Sequence, residues 1–162
     1  MTNQELLRAV QCSFPKLEPE SDGFLPEKIT KQQLADLRDD LSKFYPEDIP
    51  APLGAVLFSS IQNPATNTTD GWQLERLIYF LNVNIDEPYV AGSDAGRSEN
   101  EIGAELEHRR QRQKDLSVLS EEQKRTVHAW LIVALNCSHL QMLRAEIEDA
   151  LRFWTKAAHT TE

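Results

Sequence analysis

The residue types that most often perform catalysis or bind metal ions are scattered along this chain. None of its four histidines forms an i, i+4 pair, and its two cysteines, Cys12 and Cys137, are far apart in sequence. A structural zinc site needs such ligands in closely spaced pairs. The sequence therefore predicts no metal site and no cofactor, and it predicts that both cysteines are reduced residues of the core.

Two short motifs share part of a catalytic pattern and lack the rest. Glu105 and His108 have the Glu-x-x-His spacing of carboxylate di-iron bundles, which need a second copy and further inward carboxylates. The glycine-rich residues 92–97 lack the Gly-Lys-Ser/Thr ending of a phosphate-binding loop. We therefore expect no catalytic residues and a protein that is not an enzyme.

The charge balance points to a basic partner. Lys and Arg number 17 against 26 Asp and Glu, so the net charge is −9, which disfavours phosphate backbones and anionic lipid. We expect no nucleic-acid and no membrane partner. Complementary charge would suit a basic protein, although solubility alone also explains an acidic surface. The candidate partner-binding residues are Asp36, Asp39, Asp40, Glu47 and Asp48.

A recurrent helix-capping pattern predicts where the helices of this chain begin. Ser or Thr followed three residues later by Glu or Gln satisfies backbone donors at a helix start. The pattern occurs five times, led by Thr2, Thr30, Ser98, Ser120 and Ser138. Asp70 with Gln73 is a related pair that predicts a further helix start. Within the segment that follows it, residues 77–85 also suit a strand, and we favour a helix.

Apolar residues spaced by three and four follow most of these caps and predict amphipathic helices. One helix is predicted after Thr2 and another from Thr30 to Phe44. A largely buried helix is predicted over residues 53–61, and the last helix over residues 139–154. At 162 residues the chain has the size of one domain. The sequence thus predicts an all-α single domain over 1–162, a bundle of about six to seven helices.

Residues 86–115 differ from the rest. They contain three glycines and dense charge, with Ile102 and Leu106 as the sizeable apolar residues after Val90. Such composition cannot bury enough apolar surface to offset the entropy of ordering. We predict a charged, mobile insertion within the domain. Since no apolar run approaches the length of a membrane helix or a signal peptide, we expect a cytoplasmic protein.

Three stretches resemble an uncharacterised family of small acidic bacterial helical domains. They are ELLR with FP at 5–8 and 14–15, YPEDIP at 45–50, and LSEEQ at 119–123. The resemblance covers about the first 60 residues and residues 116–135. Similar small acidic domains often serve as immunity proteins that neutralise a toxin, and the resemblance assigns no residues to that role.

The leading hypothesis is a non-enzymatic protein-binding domain, specifically a bacterial immunity protein or inhibitor that covers a basic toxin or effector. The alternative is a small helical ligand-binding protein or enzyme whose pocket is lined by Trp72, Tyr79, Trp130 and Trp154. A transcriptional regulator that uses the last two helices is a third possibility. The partner and the oligomeric state are left open.

Overall fold

The computed structural model describes residues 1–17, 24, 30–62, 67–92 and 96–160, with the backbone alone at 31, 67–73 and 139. Across these ranges the chain forms seven α-helices and no strand, which confirms the all-α single-domain prediction. The helices are α1 (Asn3–Ser13), α2 (Lys31–Asp39), α3 (Pro50–Gln62), α4 (Asn67–Leu81), α5 (Glu99–Leu116), α6 (Glu121–Leu135) and α7 (Arg144–His159). Within the described part of the chain, no helix is long and apolar enough to span a bilayer.

The capping residues set most of the helix starts. Thr2, Thr30 and Ser120 form full reciprocal capping boxes at α1, α2 and α6. Ser98 caps α5 by accepting a hydrogen bond from a backbone N–H of the first turn. The prediction for Ser138 was wrong, because this residue lies inside a 3-10 segment, Ser138–Leu143, whose N-cap makes no side-chain hydrogen bond.

Helices α1, α3 and α6 form one side of the core. Leu6 and Val10 of α1 are fully buried, Phe14 follows them inward, and Pro15 comes directly after the end of the helix. Helix α3 is buried along most of its length, as its almost uncharged sequence predicts. Gly54 lets α1 approach closely, since a Cβ there would lie 2.5 Å from Cβ of Phe14.

The second predicted helix ends earlier than its apolar spacing indicates. Helix α2 stops at Asp39, and two 3-10 turns, Leu41–Lys43 and Pro46–Asp48, lead to α3. Leu41 and Ile49 are 1% exposed, so both turns are attached to the core at their apolar residues.

Helix α4 begins at Asn67, three residues before the predicted start, and ends at Leu81. Helix is therefore confirmed over strand for residues 77–81, whereas residues 82–85 of the ambiguous stretch form neither. Residues 82–90 then run without helix or strand. The indole N–H of Trp154 donates to the carbonyl oxygen of Leu81 at 2.7 Å, which ties the C-terminus of α4 to α7.

Residues 86–115 are not the solvated insertion that their composition predicts. Residues 99–116 form α5, which buries Glu105, Arg109, Arg112 and Leu116 at spacings of four, three and four. This is a helical stripe made mainly of charged residues, and a search for apolar periodicity cannot detect it. Residues 93–95 of the predicted insertion lie outside the described residues.

The last two helices pack against each other more extensively than any other pair in the described chain, as predicted for this link. Helix α7 starts at Arg144 rather than at His139, because the backbone leaves helical geometry at Leu140. Ile147, Leu151 and Trp154 then face the core. The two cysteines differ from the core prediction: Cys12 is exposed and Cys137 is partly buried, and both are free thiols.

Candidate functional site

The five predicted partner-binding carboxylates lie on α2, at its C-cap and on the second 3-10 turn. Asp36, Glu47 and Asp48 are exposed, while Asp39 and Asp40 are partly buried. Asp36 accepts a hydrogen bond from Gln32 at 2.9 Å. No ion pair reaches these three exposed carboxylates from any described residue.

The other two carboxylates are already paired with cations. Asp39 lies 3.2 Å from Nε of Arg38 and 3.8 Å from Nη1 of Arg76. Asp40 is 2.8 Å from Nζ of Lys43, and this hydrogen bond raises the pKa of the Lys43 ammonium. The negative charge of this segment is therefore concentrated at its exposed members, above all at the turn Pro46–Asp48.

Tyr45 adds an exposed aromatic residue next to these carboxylates in the chain, and residue spacing alone does not reveal its exposure. Its side chain is 74% exposed although it lies between Leu41 and Ile49, which are both buried. Tyr45 is extended, and its carbonyl oxygen accepts from the backbone N–H of Asp48 at 2.9 Å. An ordered turn thus presents the ring outward beside two carboxylates. Only the position directly before Pro46, which favours extended backbone, hinted at this. We call Tyr45, Asp36, Asp39, Asp40, Glu47 and Asp48 the acidic surface.

A buried ionic cluster lies under α5, and the sequence patterns above do not predict it. Arg109 is at its centre, 3.2 Å from Glu105 and 3.0 Å from Asp149 of α7. Its guanidinium also donates to the carbonyl oxygens of Asn84 at 2.9 Å and Tyr89 at 2.7 Å. Arg109 therefore joins α5, α7 and the segment 82–90 through one side chain.

The buried carboxylate of Asp149 is further satisfied by two amides. Asn82 donates to its Oδ2 at 3.1 Å and Asn84 to its Oδ1 at 2.8 Å. These side chains are each at least 97% buried, so the hydrogen bonds replace water that the carboxylate has lost. The signal in the sequence was the Asn-x-Asn after α4, which apolar patterning does not score.

Arg112 forms hydrogen bonds with the backbone at the C-terminus of α4. It donates to the carbonyl oxygens of Tyr79 and Asn82 at 3.3 and 3.2 Å, at the end of the helix, where carbonyl oxygens lack the donors of the helix interior. The carbonyl oxygen of Tyr79 also accepts from the backbone N–H of Asn82 at 3.2 Å. Its guanidinium carbon lies 4.7 Å from the centre of the Tyr79 ring. The hydroxyl of Tyr79 donates to Glu105, and burial, followed by this hydrogen bond, raises the pKa of the Tyr79 phenol.

The predicted aromatic residues do not surround one pocket. Trp154 and Trp130 are both buried in the core, where their indole N–H groups donate to different partners, Leu81 and Ser60. Tyr79 is on the surface and lines a cleft that contains neither tryptophan. The side chain of Trp72 lies outside the described residues.

Histidine and carboxylate side chains are the residues of this chain that could ligate a metal ion. Among the described residues there is no group of three or more His, Cys, Asp or Glu side chains that could hold a metal ion. Glu105 points into the buried cluster, whereas His108 is exposed. His128 and His159 are adjacent, with ring centres 5.8 Å apart, and burial, followed by the charge of His159, lowers the pKa of His128.

Comparisons of the chain with protein-family models, with curated proteins and with solved structures found no match. The resemblance to a family of small acidic bacterial domains therefore stays a prediction. The fold itself places the chain among all-α, single-domain helical proteins.

Proposed function

We propose that this chain is a non-enzymatic protein-binding domain that engages a basic protein partner through the acidic surface. The observation that carries the proposal is Tyr45, which is exposed on an ordered turn between the buried Leu41 and Ile49. It is followed by the exposed Glu47 and Asp48, which form no ion pair with any residue that the structure describes. Tyrosine is enriched at the energetic centres of protein interfaces, because its rigid ring buries a large area at low entropic cost.

The distribution of charge supports the same assignment. The buried cluster contains two cations, Arg109 and Arg112, and two anions, Glu105 and Asp149, so it contributes no net charge. The net charge of −9 is therefore carried by the rest of the molecule. Negative surface charge accelerates the encounter with a basic partner and disfavours acidic ones.

The size and charge of the domain support one kind of partner. A small acidic domain without a catalytic constellation suits an immunity protein or inhibitor that covers the active site of a basic toxin or effector in the bacterial cytoplasm. In that role the ring of Tyr45 would fill a pocket of the partner, and Glu47 and Asp48 would pair with cations at its rim.

The test combines capture and titration. The tagged chain is used to capture proteins from a lysate of its source, and a basic protein that is retained is purified and titrated against three variants. Tyr45→Ala removes the aromatic anchor, and Glu47→Lys/Asp48→Lys reverses the rim charge. Glu99→Lys/Glu122→Lys is the matched control, since it changes the net charge equally at first-turn carboxylates of α5 and α6.

We expect Tyr45→Ala to weaken binding by about 30-fold or more, which corresponds to a hot-spot loss of about 2 kcal/mol. The double reversal at residues 47 and 48 should slow association, and the control should slow it far less. Equal effects of the two double reversals would mean that net charge alone matters, and the acidic surface would then be rejected as the binding site.

A further inference from the structure

A second surface feature is separate from Tyr45 and from the turn that carries it. Helices α2, α4 and α5 border an open cleft of about 510 Å³, which is within the size range of small-molecule sites. Cationic and aromatic side chains dominate its wall, in contrast to the acidic remainder of the protein. They are Arg38, Arg76, His108, Arg112, Tyr79 and Phe80.

The cations of this cleft come from three different helices and converge on it. Arg76 of α4 is 68% exposed, and its ion pair with Asp39 is long at 3.8 Å. Arg112 of α5 is 92% buried, and its Nε has no hydrogen-bond partner among the residues that the structure describes. Nη2 of the same guanidinium already donates to the carbonyl oxygens of Tyr79 and Asn82 and lies 3.5 Å from Glu105, so Nε is the donor left for a ligand oxygen. A buried donor without a partner is costly, and a ligand oxygen is one way to satisfy it.

The aromatic side chains give the cleft an apolar wall. Tyr79 holds its ring against the guanidinium of Arg112, with 4.7 Å between the guanidinium carbon and the ring centre. The hydrogen bond from its hydroxyl to the buried Glu105 fixes the orientation of that ring. Phe80 is 95% buried beside it. An apolar surface next to guanidinium groups suits a ligand with a planar body and an anionic head.

We propose that this cleft is a binding site for a small organic anion, in which Arg76 and Arg112 bind a carboxylate or phosphate group and Tyr79 packs against an apolar ring. Guanidinium groups recognise both kinds of oxyanion, because their paired N–H donors match the spacing of the oxygens. The site would make the chain a ligand-binding protein in addition to a protein-binding one.

Two carboxylates of the cleft oppose an anion and define what the site would select. Asp39 is shared between Arg38 and Arg76, and Asp115 accepts a hydrogen bond from Gln111 at 3.1 Å. A bare, multiply charged ion would be repelled by both. A ligand whose charge is confined to one end would place that end at the arginines and its ring on Tyr79. Removal of the charge of Asp39 should therefore strengthen binding.

The experiment titrates the intact protein with four probes at low ionic strength and follows backbone amide resonances. Phenyl phosphate and benzoate carry both the ring and an anionic head, inorganic phosphate carries the head alone, and benzyl alcohol carries a neutral ring. Arg76→Gln is the test variant because its side chain is exposed, so the fold should tolerate the change. Arg110→Gln is the matched control, an exposed arginine on α5 that pairs with Glu107 outside the cleft.

We expect phenyl phosphate, benzoate or both to bind saturably, with shifts confined to α2, α4 and α5, and more tightly than inorganic phosphate or benzyl alcohol. The tighter of the two identifies the preferred head group. Arg76→Gln should weaken binding by about tenfold, Arg110→Gln by less than about twofold, and Asp39→Asn should strengthen it by about threefold.

Three results would overturn the proposal. One is that neither phenyl phosphate nor benzoate gives saturable shifts up to about 10 mM, since the affinity would then be weaker than that of a specific small-molecule site. Another is an equal loss of affinity in the Arg76 and Arg110 variants. The third is binding of benzyl alcohol as tight as that of the anions. Glu47→Lys/Asp48→Lys should leave anion binding unchanged, because neither residue lines the cleft. Asp39 belongs to both features, so this pair is the variant that tests the turn Pro46–Asp48 apart from the cleft.

Discussion

Replacement of Arg109 by methionine should remove a large part of the stability of the fold. Arg109 lies at the centre of the buried ionic cluster, where it contacts Glu105 and Asp149 at 3.2 and 3.0 Å. Methionine has a similar length and is flexible, so the variant deletes the charge and its donors while leaving little empty volume.

The magnitude follows from the groups left behind. Asp149 is 1% exposed, so without Arg109 it stays buried with hydrogen bonds from two neutral amides, and its remaining cation is the largely exposed Arg152 at 3.7 Å. Removal of one partner of a buried ion pair costs about 3–5 kcal/mol. The carbonyl oxygens of Asn84 and Tyr89 also lose their donor. Since a domain has about 5–15 kcal/mol in total, the variant should be close to unfolding.

The assay is urea unfolding followed by tryptophan fluorescence, which reports on the buried Trp130 and Trp154. Arg109→Lys should fold even if Arg109→Met does not, because lysine keeps the charge while losing the planar set of donors. We expect a loss of about 2 kcal/mol for it. Arg110→Met is the control: this neighbour is exposed, and its surface pair with Glu107 should contribute less than about 1 kcal/mol.

One result would refute the reasoning. If Arg109→Met lost less than about 1 kcal/mol at an unchanged dependence on urea, the buried cluster would not hold α5 in place. A loss similar to that of Arg110→Met would lead to the same conclusion.

Three further predictions concern single residues. Ser120→Ala should lower the free energy of unfolding by about 1 kcal/mol, because α6 loses its N-cap, and urea unfolding measures this directly. Gly54→Ala should lower the melting temperature, since the new Cβ would lie 2.5 Å from Cβ of Phe14 and force α1 and α3 apart at a cost of about 1–3 kcal/mol. His128 has a pKa lowered by burial and then by His159, so the unfolded chain takes up a proton more readily. The free energy of unfolding should therefore fall as pH drops through the ordinary histidine value of 6.5, and His128→Gln should reduce this fall; an unchanged pH profile would contradict it.

The sequence alone was sufficient for the features that depend on local interactions. Thr2, Thr30 and Ser120 cap helices where their spacing predicts, because the hydrogen bonds involved join residues three positions apart. The apolar spacing of α1 and the uncharged run of α3 predicted their buried faces, since burial there follows from residue type. These local signals determined the all-α class.

The candidate sites depended on contacts between distant residues. The extended backbone expected before Pro46 does not by itself show that the ring of Tyr45 stays outside while Leu41 and Ile49 are buried, because that outcome depends on how the two 3-10 turns pack. Likewise, Arg76 and Arg112 are far apart in the chain and line one cleft only because α4 and α5 are neighbours.

The segment 86–115 shows most clearly what the tertiary structure decided. Its charges predict a solvated segment, since an isolated charge cannot be buried without a large desolvation cost. That cost is offset here because Asp149 and Asn82, from other parts of the chain, meet Arg109 and Arg112 at hydrogen-bonding distance. Composition determines whether a segment can bury apolar surface by itself, but only the folded structure determines whether its charges find buried partners.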